Sequence, residues 1–547
     1  MGGYQMKIER ILIEDQMAPI GLDEKKPAFS WLLTAEEGEQ NLMQSACRIV
    51  VRTGEDTVWD SGKMETGVST GIGYEGETLQ PCTKYEVKAE VWDNHGGKAE
   101  AESSFETGLM DSLYAAWEGA EWIGAPHATV CAENRGVFTI ESEFRMEGGK
   151  GEAGIVFGAN DFRLNDHTKN ELGMEGKNYI RYAVCLEDGD ARLEIYRVGY
   201  APEDTAEKPF AVTKLVNWKE KTQEILTPEN ADAFHKLTVE VDGNVAYAYV
   251  DGILVDAIEE HGFFGTKVSG RQLNPRGNND VLPYPRLNEI GFYAGKGTTG
   301  YFKNLIVRNV RKPSAEIVRE TPEGRLDGGK SIFADQIPVE NGYFKVEDSQ
   351  ITADPSHHSI PMLRSCISCQ KEKKLASARL YITARGIYDC RINGQEITED
   401  LLRPGLTQYD HRMNYQTYDI TELMKPGRNG IGVTLASGWW SEAQTFVVKN
   451  FNYFGDKESL LAKVVMKYED GSREVFGTNT EDWKYFGEGP YLFSSYFAGE
   501  QYDARRAEVY ETYSLPEFDD STWERPVVVD TVMIEEFCTM PGFGRSW

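Results

Sequence analysis

The sequence predicts an all-β protein made of tandem β-sandwiches, and three observations predict it. Short runs of strand length, alternating apolar and polar, recur along the chain between clusters of turn residues. Glycine is abundant, at 54 residues, and 11% of the chain is aromatic, a composition that favours turns and strands over long helices. Helical periodicity is nearly absent: Thr421-Glu422-Leu423-Met424 is at most one turn, stopped by Pro426-Gly427. A chain of 547 residues exceeds what one core can organise and predicts three or four domains.

Residues 1–112 hold strands at the spacing of a sandwich: Phe29–Leu33, Cys47–Arg52, and Tyr85–Trp92 ending in the turn Asp93–Gly97. They resemble a fibronectin-III or immunoglobulin-like module, with Trp31, Trp59 and Trp92 expected in its core. Residues 113–312 carry longer alternating strands, among them Phe138–Arg145, Tyr179–Val184 and Leu193–Val198. Phe234–Asp242 and Ala246–Val250 read as a hairpin turning at Gly243-Asn244. This succession resembles a concanavalin or laminin-G-like jelly roll. Residues 313–330, rich in Glu, Pro, Gly and Arg without periodicity, read as a linker, and 331–547 as a third sandwich.

The formal net charge of −30 repels phosphate backbones and argues against nucleic-acid partners. No run approaches the roughly 18 apolar residues of a membrane span. The opening residues lack a basic patch followed by an apolar core, so no signal peptide is expected. Eight scattered cysteines read as reduced thiols of a cytoplasmic protein. Cys366-Ile367-Ser368-Cys369 has metal-ligand spacing, but the alternation through it reads as a strand.

In the third unit, Ala378–Ala384 and Tyr388–Ile392 are period-two strands, the second turning at Asn393-Gly394. There follow Arg403-Pro404-Gly405, Tyr415-Gln416-Thr417-Tyr418-Asp419-Ile420-Thr421, Asn429–Val433, Gly438-Trp439-Trp440, Gly499–Arg505 and Phe518-Asp519-Asp520-Ser521-Thr522-Trp523. Aromatic faces beside amides and carboxylates suit a sugar, which has flat C–H faces and a rim of hydroxyls. These ordered blocks resemble the N-terminal β-sandwich of the bacterial α-L-rhamnosidases, glycoside hydrolase family 78. The resemblance departs at Leu406, where an aromatic is common, and at Trp440, where Tyr is common.

The resemblance implies an enzyme that releases terminal α-L-rhamnose by inversion. One carboxylic acid protonates the leaving oxygen and a carboxylate activates water across a gap of about 6.5–9.5 Å. In the family both acids belong to an (α/α)6 barrel, whose acidic motifs are missing from this sequence. The chain is therefore expected to be an accessory, carbohydrate-binding region, with no catalytic residue of its own. Its implied partners are a rhamnose-containing carbohydrate and the missing catalytic domain. A stand-alone carbohydrate-binding protein is the alternative.

Candidate site residues follow. Glu141 and Glu143 share one face of a strand, as acids of some jelly-roll glucanases do, but the intervening Asp is missing; the solvated face of an edge strand is expected instead. No cofactor is required. By resemblance to family members that bind rhamnose through calcium, Asn160, Asp161 and Asp166 in the loop after a strand are candidate ligands, Asn160 and Asp161 for sugar as well. An ordinary acidic turn is the competing reading and is favoured, because no strict calcium-loop pattern is met. Trp439 and Trp440, expected on opposite sides of a strand, and Tyr409 are candidate sugar platforms, with Tyr415 and Tyr418 open to the same two readings and core packing favoured for most.

Overall fold

Strands dominate the computed structural model, which describes residues 6–35, 41–126, 128–129, 137–160, 178–187, 190–201, 204–214, 225–242, 245–255, 268–269, 273, 287–310, 312–326, 329–357, 359–442, 454–455, 457–496, 499–529 and 536–539. They assemble into sandwiches, each enclosing its own apolar core. In the first, Met6–Ile13, Ala28–Ala35 and Ile72–Gly73 face a sheet ordered Asp56–Asp60, Gln44–Thr53, Lys84–Asp93, Lys98–Glu106. The alternation of Tyr85, Val87, Ala89 and Val91 turns these side chains onto Phe29, Trp31 and Phe105. Trp59 sits at the edge of that core, its ring 5.9 Å from that of Phe29. Trp92 departs from expectation: it takes the opposite phase of its strand and lies outside, under the ammonium groups of Lys63 and Lys98 at 5.0 and 5.5 Å.

The second sandwich pairs an 11-stranded sheet with a 6-stranded one over a core that includes Phe138, Phe144, Phe157, Phe292 and Phe302. Burying each such ring contributes roughly 1.5–3 kcal/mol. The hairpin is present, Asp242 pairing with Val245, while its turn lies outside the described residues. The boundaries differ from the sequence reading. Within 313–330, most of Lys312–Thr321 is a strand paired with Leu305–Asn309, and its Ile317 and Val318 reach the core. The largely polar composition of this strand reads as linker in the sequence. Tyr343–Glu347 and Gln350–Ala353 also complete the two sheets, so the second sandwich extends to Ala353.

The third sandwich has a 5-stranded sheet through Ile387–Ile392, Gly427–Ala436 and Met362–Cys369, facing a 7-stranded sheet through Ser459–Tyr468, Leu375–Arg385 and Arg412–Asp419. Ile123–Gly124 joins the larger sheet, pairing with Ser459 and Leu460. Residues that precede the second sandwich thus belong to the third. Cys369 points into its core and Cys366 to the other face beside Arg364, so alternation keeps the two thiols from sharing a metal. At the expected hairpin, Asn393 and Gly394 have φ of +52° and +83°, the left-handed pair that a type I′ turn requires. Asn393 is anchored there by donating to Asn429 Oδ1 and the Leu423 carbonyl, both at 2.8 Å.

The segment after residue 503 straps across the outer face of the 5-stranded sheet. Tyr513 lies over Gly432, where a Cβ would come within 2.5 Å of the ring. Asp520 pairs with the fully buried Arg364, and Trp523 stacks on Phe486 at 4.8 Å. The motif Phe518–Trp523 is therefore a fastening of the fold.

Candidate carbohydrate site

Of the candidate calcium and sugar ligands, Asn160 directly follows the strand Gly151–Ala159 of the 6-stranded sheet. Its φ of +51° is left-handed, a conformation Asn tolerates better than most residues. The Asn160 amide donates to the Asn178 carbonyl at 3.0 Å, and Asn178 and the Tyr200 hydroxyl both donate to the Gly158 carbonyl at 2.7 Å, fixing the exit of the strand. The Asn160 side chain then donates to Glu289 at 2.8 Å, and Thr352 donates to the same carboxylate at 2.8 Å. Asp161 and Asp166 lie outside the described residues. Sequence reasoning missed Glu289 and Thr352, because only long-range pairing brings them to Asn160.

Calcium takes six to eight oxygens. Here the described residues offer the Asn160 amide oxygen and a Glu289 carboxylate already accepting two hydrogen bonds, and among them no three His, Cys, Asp or Glu side chains converge as a metal group. The described part by itself does not make a calcium site; oxygens from Asp161 and Asp166 would have to complete it.

The aromatic candidates are placed differently from expectation. Trp439 and Trp440 stand on a single helical turn, Gly438–Ser441, rather than on a strand. Trp440 is 3% exposed and Tyr409 1%, packed against each other and against Phe454. The Tyr409 hydroxyl donates to the Gly405 carbonyl at 2.7 Å, and burial pushes its pKa above the ordinary value. Neither ring is open to a sugar. Trp439 is half-buried, stacked on Tyr496 with centroids 4.5 Å apart, and keeps an edge at the surface. Tyr415 and Tyr418 are core residues as well.

Glu141 and Glu143 do share a face, but their strand, Val137–Met146, lies inside the larger sheet and is not an edge. Glu141 is buried and held by Lys236 and Arg308; Glu143 pairs with Lys303 at 2.6 Å. Burial raises the Glu141 pKa, but the hydrogen bonds from the two cations outweigh it and the net shift is downward. A carboxyl held ionised between two cations is a poor proton donor.

The chain is similar to known proteins along most of its length. Residues 373–539 match the model of the α-L-rhamnosidase N-terminal domain, and residues 8–111 that of the Rha78A-like N-terminal immunoglobulin domain. An α-L-rhamnosidase of Streptomyces avermitilis is 27% identical over 523 residues, covering 93% of this chain and 44% of that protein. One from an Alteromonas species is 34% identical over 183 residues, 32% of this chain and 19% of its own length. The chain thus spans less than half the length of these relatives. The crystal structure of the Streptomyces avermitilis enzyme complexed with L-rhamnose superimposes with a TM-score of 0.55 at 20% identity, over 98% of this chain and 46% of that one, a likeness of fold. Two matched domains and an alignment running nearly end to end make this chain similar to the N-terminal β-sandwich region of the α-L-rhamnosidases.

Proposed function

We propose that the chain is the accessory and carbohydrate-binding region of an enzyme that hydrolyses terminal α-L-rhamnosides by inversion. The observation that carries this reading is the near-complete alignment of the chain with less than half of a curated α-L-rhamnosidase. The internal chemistry supports it: the acid pair legible in the sequence is tied up in ion pairs, which leaves no opposed acid and base there. The catalytic pair then belongs to a helical domain outside these residues. Leu401, Leu402 and Leu406, 80%, 57% and 52% exposed in one segment, offer that domain an apolar seat. The second sandwich is the part that binds rhamnose; were calcium to take part, Asn160, Asp161 and Asp166 would be the residues to hold it. Bound there, the ion would supply a positive charge for sugar hydroxyls.

Incubating the 547-residue chain with an aryl α-L-rhamnoside should release no phenol. Turnover that vanishes on mutating a residue of this chain would overturn the accessory role. Calorimetric titration with L-rhamnose, with and without a chelator, should show binding. Absence of heat and of any thermal shift would leave a scaffold only.

A further inference from the structure

The outer face of the 6-stranded sheet holds a second polar cluster, away from Asn160. Ile180 and Tyr182 turn into the core, so Arg181 between them projects from the opposite face. It is 9% exposed, its guanidinium 3.9 Å from the ring centre of Tyr293 and 4.8 Å from that of Tyr196. Its acid neighbour, Glu152, is 3.6 Å away, too far for a hydrogen bond. Glu152 instead accepts from the Tyr293 hydroxyl at 3.1 Å. Gln350 is the register partner of Tyr293 on the next strand. On the other side of Tyr293 the register runs to Gly154 and then Ala183, small residues over which the Arg181 guanidinium reaches between the Tyr293 and Tyr196 rings.

Three enclosed polar atoms of this cluster, Arg181 Nε, Glu152 Oε1 and Gln350 Oε1, have no hydrogen-bond partner among the described residues. Native interiors rarely leave such groups unpaired, and one donor with two acceptors around a small-residue floor matches the hydroxyl rim of a sugar. Glu152 balances the charge of Arg181, while Arg192 is engaged by Glu187 and Glu194, so nothing here is left over for an anion. The cluster is distinct from the Asn160 end: Glu289 and Tyr293 are four residues apart on one strand, about 13 Å.

We infer that Arg181, Glu152 and Gln350 form a binding site for a neutral sugar unit, independent of calcium. The inference rests on the carbohydrate-binding reading above and gives it a location. Titrating the 547-residue chain with L-rhamnose, D-galactose and D-galacturonate in the presence of EDTA tests it. One neutral sugar should bind, and Arg181→Met and Gln350→Ala should each weaken it about tenfold or more while Lys330→Ala, at an exposed surface ion pair, does not. If Arg181→Met fails to fold by circular dichroism, Gln350→Ala, which is only half-buried, decides the matter. Binding that chelation or Asn160→Ala abolishes, and that both cluster variants retain, overturns this site and leaves the carbohydrate-binding reading standing. Tighter binding of galacturonate than of either neutral sugar overturns the ligand class. No heat from any sugar with the wild-type chain overturns both readings together.

Discussion

The Tyr415 hydroxyl of the third sandwich donates to Asp23 of the first at 2.6 Å and accepts from the Leu109 amide at 2.9 Å. Backbone crowds the same joint. A Cβ on Gly108 would fall 2.3 Å from that hydroxyl, and one on Gly21 2.3 Å from Thr417 Oγ1. Arg379 adds a bond to Glu106 at 2.8 Å, and Lys467 one to the Cys82 carbonyl. The first and third sandwiches therefore meet through paired polar groups at fixed positions.

Tyr415→Phe should destabilise the chain by about 1–3 kcal/mol, because Asp23 loses a donor and the Leu109 amide an acceptor inside the joint. Urea unfolding monitored by tryptophan fluorescence measures it. An unchanged midpoint would mean that the joint does not depend on this bond.

Glu118 sets a pH dependence. Hydrogen bonds from Arg473, then from Lys463, outweigh burial and bring its pKa from 4.5 down to about 2. A depressed carboxylate contributes its full stability above the unfolded value and loses it as pH falls through the folded one. The unfolding midpoint should therefore drop between about pH 4.5 and 2, and Glu118→Gln should flatten that drop relative to wild type. Identical pH profiles would count against the assignment.

Glu141→Gln should lower stability, since it loosens Lys236 and Arg308 from a buried partner. It should leave rhamnoside hydrolysis by an enzyme containing this region unchanged. Loss of kcat with an unaltered melting temperature would reopen a catalytic role for the pair.

The two adjacent tryptophans should separate by effect. Trp440→Ala removes a core ring and should cost about 3–5 kcal/mol. Trp439→Ala loses chiefly its stack on Tyr496, about 0.5–1.5 kcal/mol beyond its buried area. Equal destabilisation, read from paired denaturation curves, would contradict the burial difference.

The all-β class was legible because strand alternation is local: Tyr85, Val87, Ala89 and Val91 announce their own face. So was the Asn393-Gly394 turn, whose two residues are the ones its φ values require. Pairing between distant segments was not. Nothing near Ile123 signals that its partner is Leu460, and the composition of 313–330 hid a strand whose large apolar residues are only Ile317 and Val318. Trp92 read as core because a large aromatic sits in a strand pattern, yet it shares the phase of Glu86 and Lys88, opposite Val87, Ala89 and Val91. For the candidate site, sequence supplied Asn160 but could not supply Glu289, Thr352 or Gln350, which reach that face only through the order of strands in the sheet.

Ala128–Thr129 and Ser356–His357 run side by side as a parallel pair, one just ahead of the second sandwich and the other just behind it. The ends of that module are thus neighbours in space although over 220 residues separate them, and Ile123–Gly124 is already committed to the framework before the excursion begins. Such geometry makes the module a cassette. A short bridge between its two stems could replace it without reshaping the host, and a different module could be spliced in at the same seam.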